Sequence, residues 1–200
     1  MAQLGLLPCI HSELRFGPDS ELLFAELERV LAWYQLLYLE TPLEPWTVWF
    51  LALMDRLDLF CYLEACRRLM MPERLMERVF GHRHQALKRL QHLRQMVGRG
   101  QEISNSRLYA GLHGMPVELL LYGLARSGQE ELRRLVSHYL TRLADAKSLV
   151  SGTELQGLGA ARGPAIRSLK ERLLAARLDG LIASKDEELA LARQLITGQP

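Results

Sequence analysis

The sequence predicts an all-α chain, a stack of antiparallel helix pairs with about nine or ten helices and no sheet. Three observations predict it. Apolar residues recur at helical spacing in nearly every segment. No segment alternates at period two with β-branched residues over strand length. Leucine is abundant, whereas aromatic residues make up only 7% of the chain.

Each element follows from local chemistry. Asp19 or Ser20 is suited to cap a helix from Glu21, whose face is Leu22, Leu23, Leu27, Val30, Leu31, Tyr34 and Leu37. Pro42 and Pro45 break the pattern. Trp46–Leu57 is apolar on nearly every side and reads as a buried helix. Asp58–Met70 is the next helix and ends before Pro72. Pro72 opens another, which Gly81 bends or interrupts before Leu87, Leu90, Leu93 and Val97 carry the pattern to Gly98. Ser104–Leu112 is a short capped helix. Pro116 starts a further one that Gly128 stops. Glu130–Asp145 is amphipathic. Ser184 and Glu187 form a capping-box pair for a last helix, and Gly198-Gln199-Pro200 reads as a frayed end.

Composition narrows the function classes. The net charge of +2 is unevenly spread. Residues 1–60 hold three basic and nine acidic side chains, whereas residues 61–100 hold nine basic and three acidic. This asymmetry predicts a basic surface for a polyanion, with Arg83, Lys88, Arg89 and Arg94 as candidate phosphate contacts. No run of about 18 uncharged apolar residues occurs, so no membrane span is expected. Cys9, Cys61 and Cys66 are odd in number and form no Cys-x-x-Cys, which argues against a disulfide framework or zinc site and for a reducing cytoplasm. His82 and His84 are badly spaced for a shared metal, and no metal ligand set is expected.

The stretch from Ser151 to Gly180 says most. Gly159 and Gly163 bracket a short loop, Pro164 suits a first helical turn, and Ile166, Leu169, Leu173 and Leu174 line a helix face. The pattern is helix, tight glycine loop, helix, and the second helix opens with free N–H groups suited to a phosphate. Ser-Gly-x-Glu-Leu-x-x-Leu-Gly-x-x-x-Gly-Pro-x-Ile, a leucine-rich helix, Leu178-Asp179-Gly180 and then Ser184-Lys185-Asp186-Glu187-Glu188 resemble the C-terminal tail of class II tRNA nucleotidyltransferases. These are the CCA-adding and A-adding enzymes of the bacterial poly(A) polymerase family. Here Glu154 replaces the family's aspartate, Ala160 its isoleucine and Arg162 its first proline. Leu4-Gly5-Leu6-Leu7 with Ile10-His11, the Ser-Arg-Leu-Tyr run and Pro116-Val117-Glu118-Leu119-Leu120 extend the resemblance over nearly the whole chain.

The resemblance implies that residues 1–18 end a segment joining a missing catalytic head, that 19–148 form a helical body, and that 149–200 form a helical tail. It implies tRNA and the parent chain's head domain as partners, the body supporting the acceptor stem and the tail gripping the elbow. Gly159, Arg162, Gly163, Arg167 and Lys170 are then the RNA-binding residues of the tail. The parent enzyme would use Mg2+ and ATP or CTP to add AMP, or CMP and AMP, to the tRNA 3′ end. That chemistry needs an Asp-x-Asp pair on a sheet edge to hold the metal ions. This chain has neither the pair nor a strand to mount it, no Gly-x-x-x-x-Gly-Lys-Ser/Thr loop and no Gly-x-Ser-x-Gly elbow. No catalytic residue and no cofactor is therefore assigned here, and the chain alone is expected to be inactive. The alternative is a helical protein-interaction module of an unrelated regulator, docking through the apolar Trp46–Leu57 region.

Overall fold

The computed structural model describes residues 5–198, so the readings placed on Leu4, Gln199 and Pro200 lie outside the described residues. The described residues are all-α and contain no strand. They divide into two compact units. The first holds residues up to 100 together with 114–136, and the second holds 101–113 together with 137 onward. The sequence reading places its line at 148/149. Packing instead sets 101–113 and 137–148 with the C-terminal residues.

In the first unit, α1 is Leu7–Ile10, α2 Pro18–Gln35, α3 Pro45–Leu53, α4 Leu59–Arg68, α5 Glu73–Arg78, α6 Arg83–Gly98 and α8 Val117–Ser127. Helix α2 begins at Pro18, a few residues before the expected start, because proline at the first helical position sacrifices no bonded N–H. A 3-10 turn over Phe80–His82 separates α5 from α6, the interruption expected at Gly81. Helix α8 is buried from Val117 to Ala125 and packs on α2, α3 and α6. Such a helix is the centre of the core, not an amphipathic surface element. Its one charged buried residue, Glu118, lies in the first turn, where the helix dipole favours an anion, and accepts from Arg78 at 2.7 Å.

Helix α3 turns Val48, Leu51 and Ala52 into that core. Phe50 meets Phe80 edge-on at 5.3 Å, and Trp49 tilts against Phe24 at 5.2 Å. Trp46 keeps 45% of its surface. Most of the apolar face offered to the docking alternative is thus spent on folding.

In the second unit, α7 is Asn105–Leu112, α10 Gly152–Gly157, α11 Pro164–Leu178 and α12 Lys185–Thr197. Helix α9, Glu130–His138, contains the boundary between the units and continues as one π-helical turn, Tyr139–Leu143, where the Ala144 N–H donates to the Tyr139 carbonyl at 2.8 Å. Val150, Leu155, Leu169, Leu173 and Ala192 form the core. Burying five such side chains contributes on the order of 1.5–3 kcal/mol for each large one, before the entropy of ordering them.

Two carboxylates organise this unit. Glu188 is fully buried and accepts from the Ser148 hydroxyl and, at 2.9 Å, from the Leu149 N–H. Asp179 accepts from the Ser106 N–H at 2.8 Å and from the Ser106 hydroxyl, while the Asn105 amide donates to the Leu178 carbonyl at 3.0 Å. These bonds bring α7 onto the end of α11, which is why 101–113 leaves the first unit. Burial raises the Asp179 pKa, but the Ser106 and Ser104 hydrogen bonds outweigh it and the group stays below the usual carboxylate range.

Serines cap α7, α10 and α12. Ser104 accepts from the Arg107 N–H, and the expected Ser184–Glu187 capping box is present alongside an equivalent Ser151–Glu154 box. Glu154 also pairs with Lys185 at 2.6 Å, and this bond, with those from Ser151, lowers its pKa to about 2. Its unfolded carboxyl titrates at the ordinary value of 4.5. The stabilisation is therefore complete above pH 4.5 and is lost as pH falls toward about 2. Glu154→Gln should lower the melting temperature at pH 7, and the gap to the wild type should close steadily between pH 5 and pH 3. A gap independent of pH across that range would show that the charge of Glu154 contributes nothing.

Candidate nucleic-acid interface

Helix α11 differs from its neighbours at its first turn. Gly163 is its N-cap, with φ +85° and ψ −127°, and no side chain accepts from the first N–H groups. Pro164 has no N–H, so Ala165 and Ile166 present the open donors of that turn. The glycine is required by its backbone angle. A Cβ at Gly163 would meet nothing within 4 Å, so substitution there strains the main chain without colliding with a neighbour. Gly159 has φ +97° and is likewise selected by conformation.

Arg162 and Arg167 are exposed and Lys170 is half-buried; none has an ion-pair partner among the described residues. Arg167 and Lys170 are three residues apart and therefore neighbours on one face of α11. With Gly163 they line a groove of about 730 Å³ whose other walls carry Tyr109, His113, residues 144–148, Ile166, Glu171 and Leu174. Gly159 and Arg162 stand on the adjoining loop and do not line it. Glu188 holds the wall at Ser148 and Leu149, and Asp179 holds the helix bearing Tyr109.

The rings of Tyr109 and His113 stack, with centroids 4.4 Å apart and planes 17° apart. This pair goes unnoticed in the sequence. Its one signal is the i,i+4 spacing from α7, which sets both rings on one face. That signal is weak, because most such pairs are ordinary helix surface. Burial raises the pKa of the Tyr109 phenol.

The basic middle of the chain behaves differently from its reading. Arg83 is corrected outright. It is only 7% exposed, donates to the Asp55 carbonyl at 2.7 Å and lies 4.6 Å from the Tyr62 ring centroid. A guanidinium so enclosed serves the core and is closed to a phosphate. Arg74 and Arg78 pair with Glu44, at 3.1 and 3.4 Å. Part of the charge excess of residues 61–100 is therefore neutralised by the acidic segment before it. Lys88 and Arg94 remain exposed, and Arg89 is half-buried. At about 100° per residue the three splay around α6 and form no single stripe.

The chain resembles the tRNA nucleotidyltransferases, as its glycine loop and flanking runs imply. It is similar in particular to the A-adding tRNA nucleotidyltransferase of Geobacter sulfurreducens, with 34% identity over 195 residues, which is 98% of this chain and 22% of that protein. The chain thus spans about a fifth of the length of this relative. No family model matches it, and no solved structure does. No helix among the described residues is long and apolar enough to cross a membrane. The described residues also contain no group of three or more His, Cys, Asp or Glu side chains placed to hold a metal ion.

Replacing Arg83 with Gln should destabilise the protein by about 1–3 kcal/mol, because buried carbonyls lose their donor. Below its melting temperature the variant should keep any RNA affinity the wild type has. Weaker RNA binding with unchanged melting would return Arg83 to the candidate phosphate contacts.

Proposed function

We propose that this chain is the tRNA-binding, C-terminal portion of an A-adding tRNA nucleotidyltransferase, acting in the cytoplasm with a catalytic head outside this chain. The observation that carries the reading is the uncapped start of α11 beside Arg162, Arg167 and Lys170, three cations with no carboxylate partner among the described residues. Open N–H groups and unpaired cations at one helix start suit a phosphate. They read no base, which agrees with a protein that acts on a whole class of RNAs of one shape. The name of the relative supports tRNA as that RNA. Lys88, Arg89 and Arg94 are a second set of candidate contacts, on the first unit. Addition of AMP, Mg2+ and ATP belong to the head, because the sequence has no Asp-x-Asp pair.

Binding of tRNA should weaken steeply with salt. Changing Arg162, Arg167 and Lys170 together to Gln should flatten the log–log salt slope by about one unit for each phosphate the variant no longer holds. Titration of wild type and variant at several salt concentrations checks this. A wild-type affinity for tRNA that ignores salt would favour the protein-interaction alternative.

The chain alone should add no nucleotide to a tRNA lacking its terminal residues when supplied with ATP, CTP and Mg2+. Template-free addition at enzyme-like rates would place an active site within this chain.

A further inference from the structure

We propose that His113 and Tyr109 form a stacking platform for an unpaired RNA base, with Arg167 and Lys170 holding the phosphates that flank it. The proposal rests on the RNA reading of the same groove and adds to it a grip on a base, which the backbone contacts of α11 do not supply.

Three rings run outward from the core of the second unit. Tyr139, in the π-helical turn, is buried at 5% exposure. Tyr109 is half-buried, tilted against Tyr139 with centroids 6.2 Å apart. His113 is exposed and lies nearly parallel to Tyr109. The Tyr109 hydroxyl and His113 Nε2 are 3.3 Å apart, which fixes the two rings relative to each other. The outermost ring, His113, is exposed, and the groove it lines also carries Lys147, Arg167 and Lys170.

The charges decide which ligand fits. Arg167, Lys170 and Lys147 line the groove with Asp145 and Glu171, an excess of one positive charge. That is too little to hold a strand by field alone, so a ligand needs a second source of affinity. Aromatic faces supply it for any base, without sequence preference. A paired base is covered above and below by its neighbours, so the ring series suits a nucleotide outside the stack. Two cations one helical turn apart suit consecutive phosphates of a strand better than one free nucleotide.

The full chain would be titrated with an eight-residue oligouridylate and with the same sugar-phosphate strand lacking every base. The wild type should prefer the strand with bases by roughly 5- to 100-fold, the range of one stacking contact. His113→Ala should lose that preference while keeping its melting temperature and its salt slope. His113→Trp should restore the preference, because it returns a ring. Parallel titrations with tRNA, and with uridine monophosphate, place the loss on a strand or on a free nucleotide. Equal affinity of the wild type for both strands would overturn the platform and leave the backbone reading standing. So would tRNA affinity unchanged in His113→Ala when no oligouridylate binds. Preference for the free nucleotide over the strand would overturn the strand assignment. Absence of all binding, tRNA included, would overturn both readings.

Discussion

A carboxylate removed from water determines the shape of the groove. Glu188 lies in the first turn of α12 and is fully buried, and it accepts from the hydroxyl of Ser148 and the N–H of Leu149. An ionised group in an apolar surrounding is tolerated only when its lone pairs are satisfied. Here the donors come from the segment between the π-helical turn and α10. That segment cannot move away without leaving the carboxylate unpaired, so residues 144–148 are held as one wall of the groove. Asp179 does similar work at the far end of α11, where it ties the start of α7 and thereby places Tyr109 and His113.

The start of α11 is left open by contrast. Ser104, Ser151 and Ser184 occupy the donors of α7, α10 and α12, whereas Gly163 has no side chain to offer. A glycine N-cap in place of a serine forgoes roughly a few tenths of a kcal/mol of local stability. The core residues Leu169 and Leu173 further along α11 make that loss bearable. Stability is thus supplied by one stretch of the helix, while the open N–H donors lie on another.

Arg83 and the pair Tyr109–His113 mark opposite errors of a reading along the chain. Arg83 lies in a run of basic residues and reads as one of them. In space it is enclosed by Tyr62 and the carbonyl of Asp55, and the stem of a long side chain reaches that position easily. Tyr109 and His113 read as scattered surface residues. They become a feature only because Asp179 draws their helix onto α11, more than sixty residues away in the sequence.

Period and punctuation made most of the helices legible. Pro164, Gly128 and Ser184 mark starts and stops through angles and hydrogen bonds that involve only near neighbours, and each falls where the structure has it. The all-α class, the glycine loop and the resemblance to the tRNA nucleotidyltransferases rest on the same local chemistry. The tertiary structure alone decided which charges remain open. Glu44 takes up Arg74 and Arg78, and the core takes up Arg83, while Arg162, Arg167 and Lys170 keep no ion-pair partner among the described residues. It also decided that 101–113 packs with the C-terminal helices. Both follow from contacts between residues far apart in the chain, whose pairing depends on the packed shape and leaves no period to read.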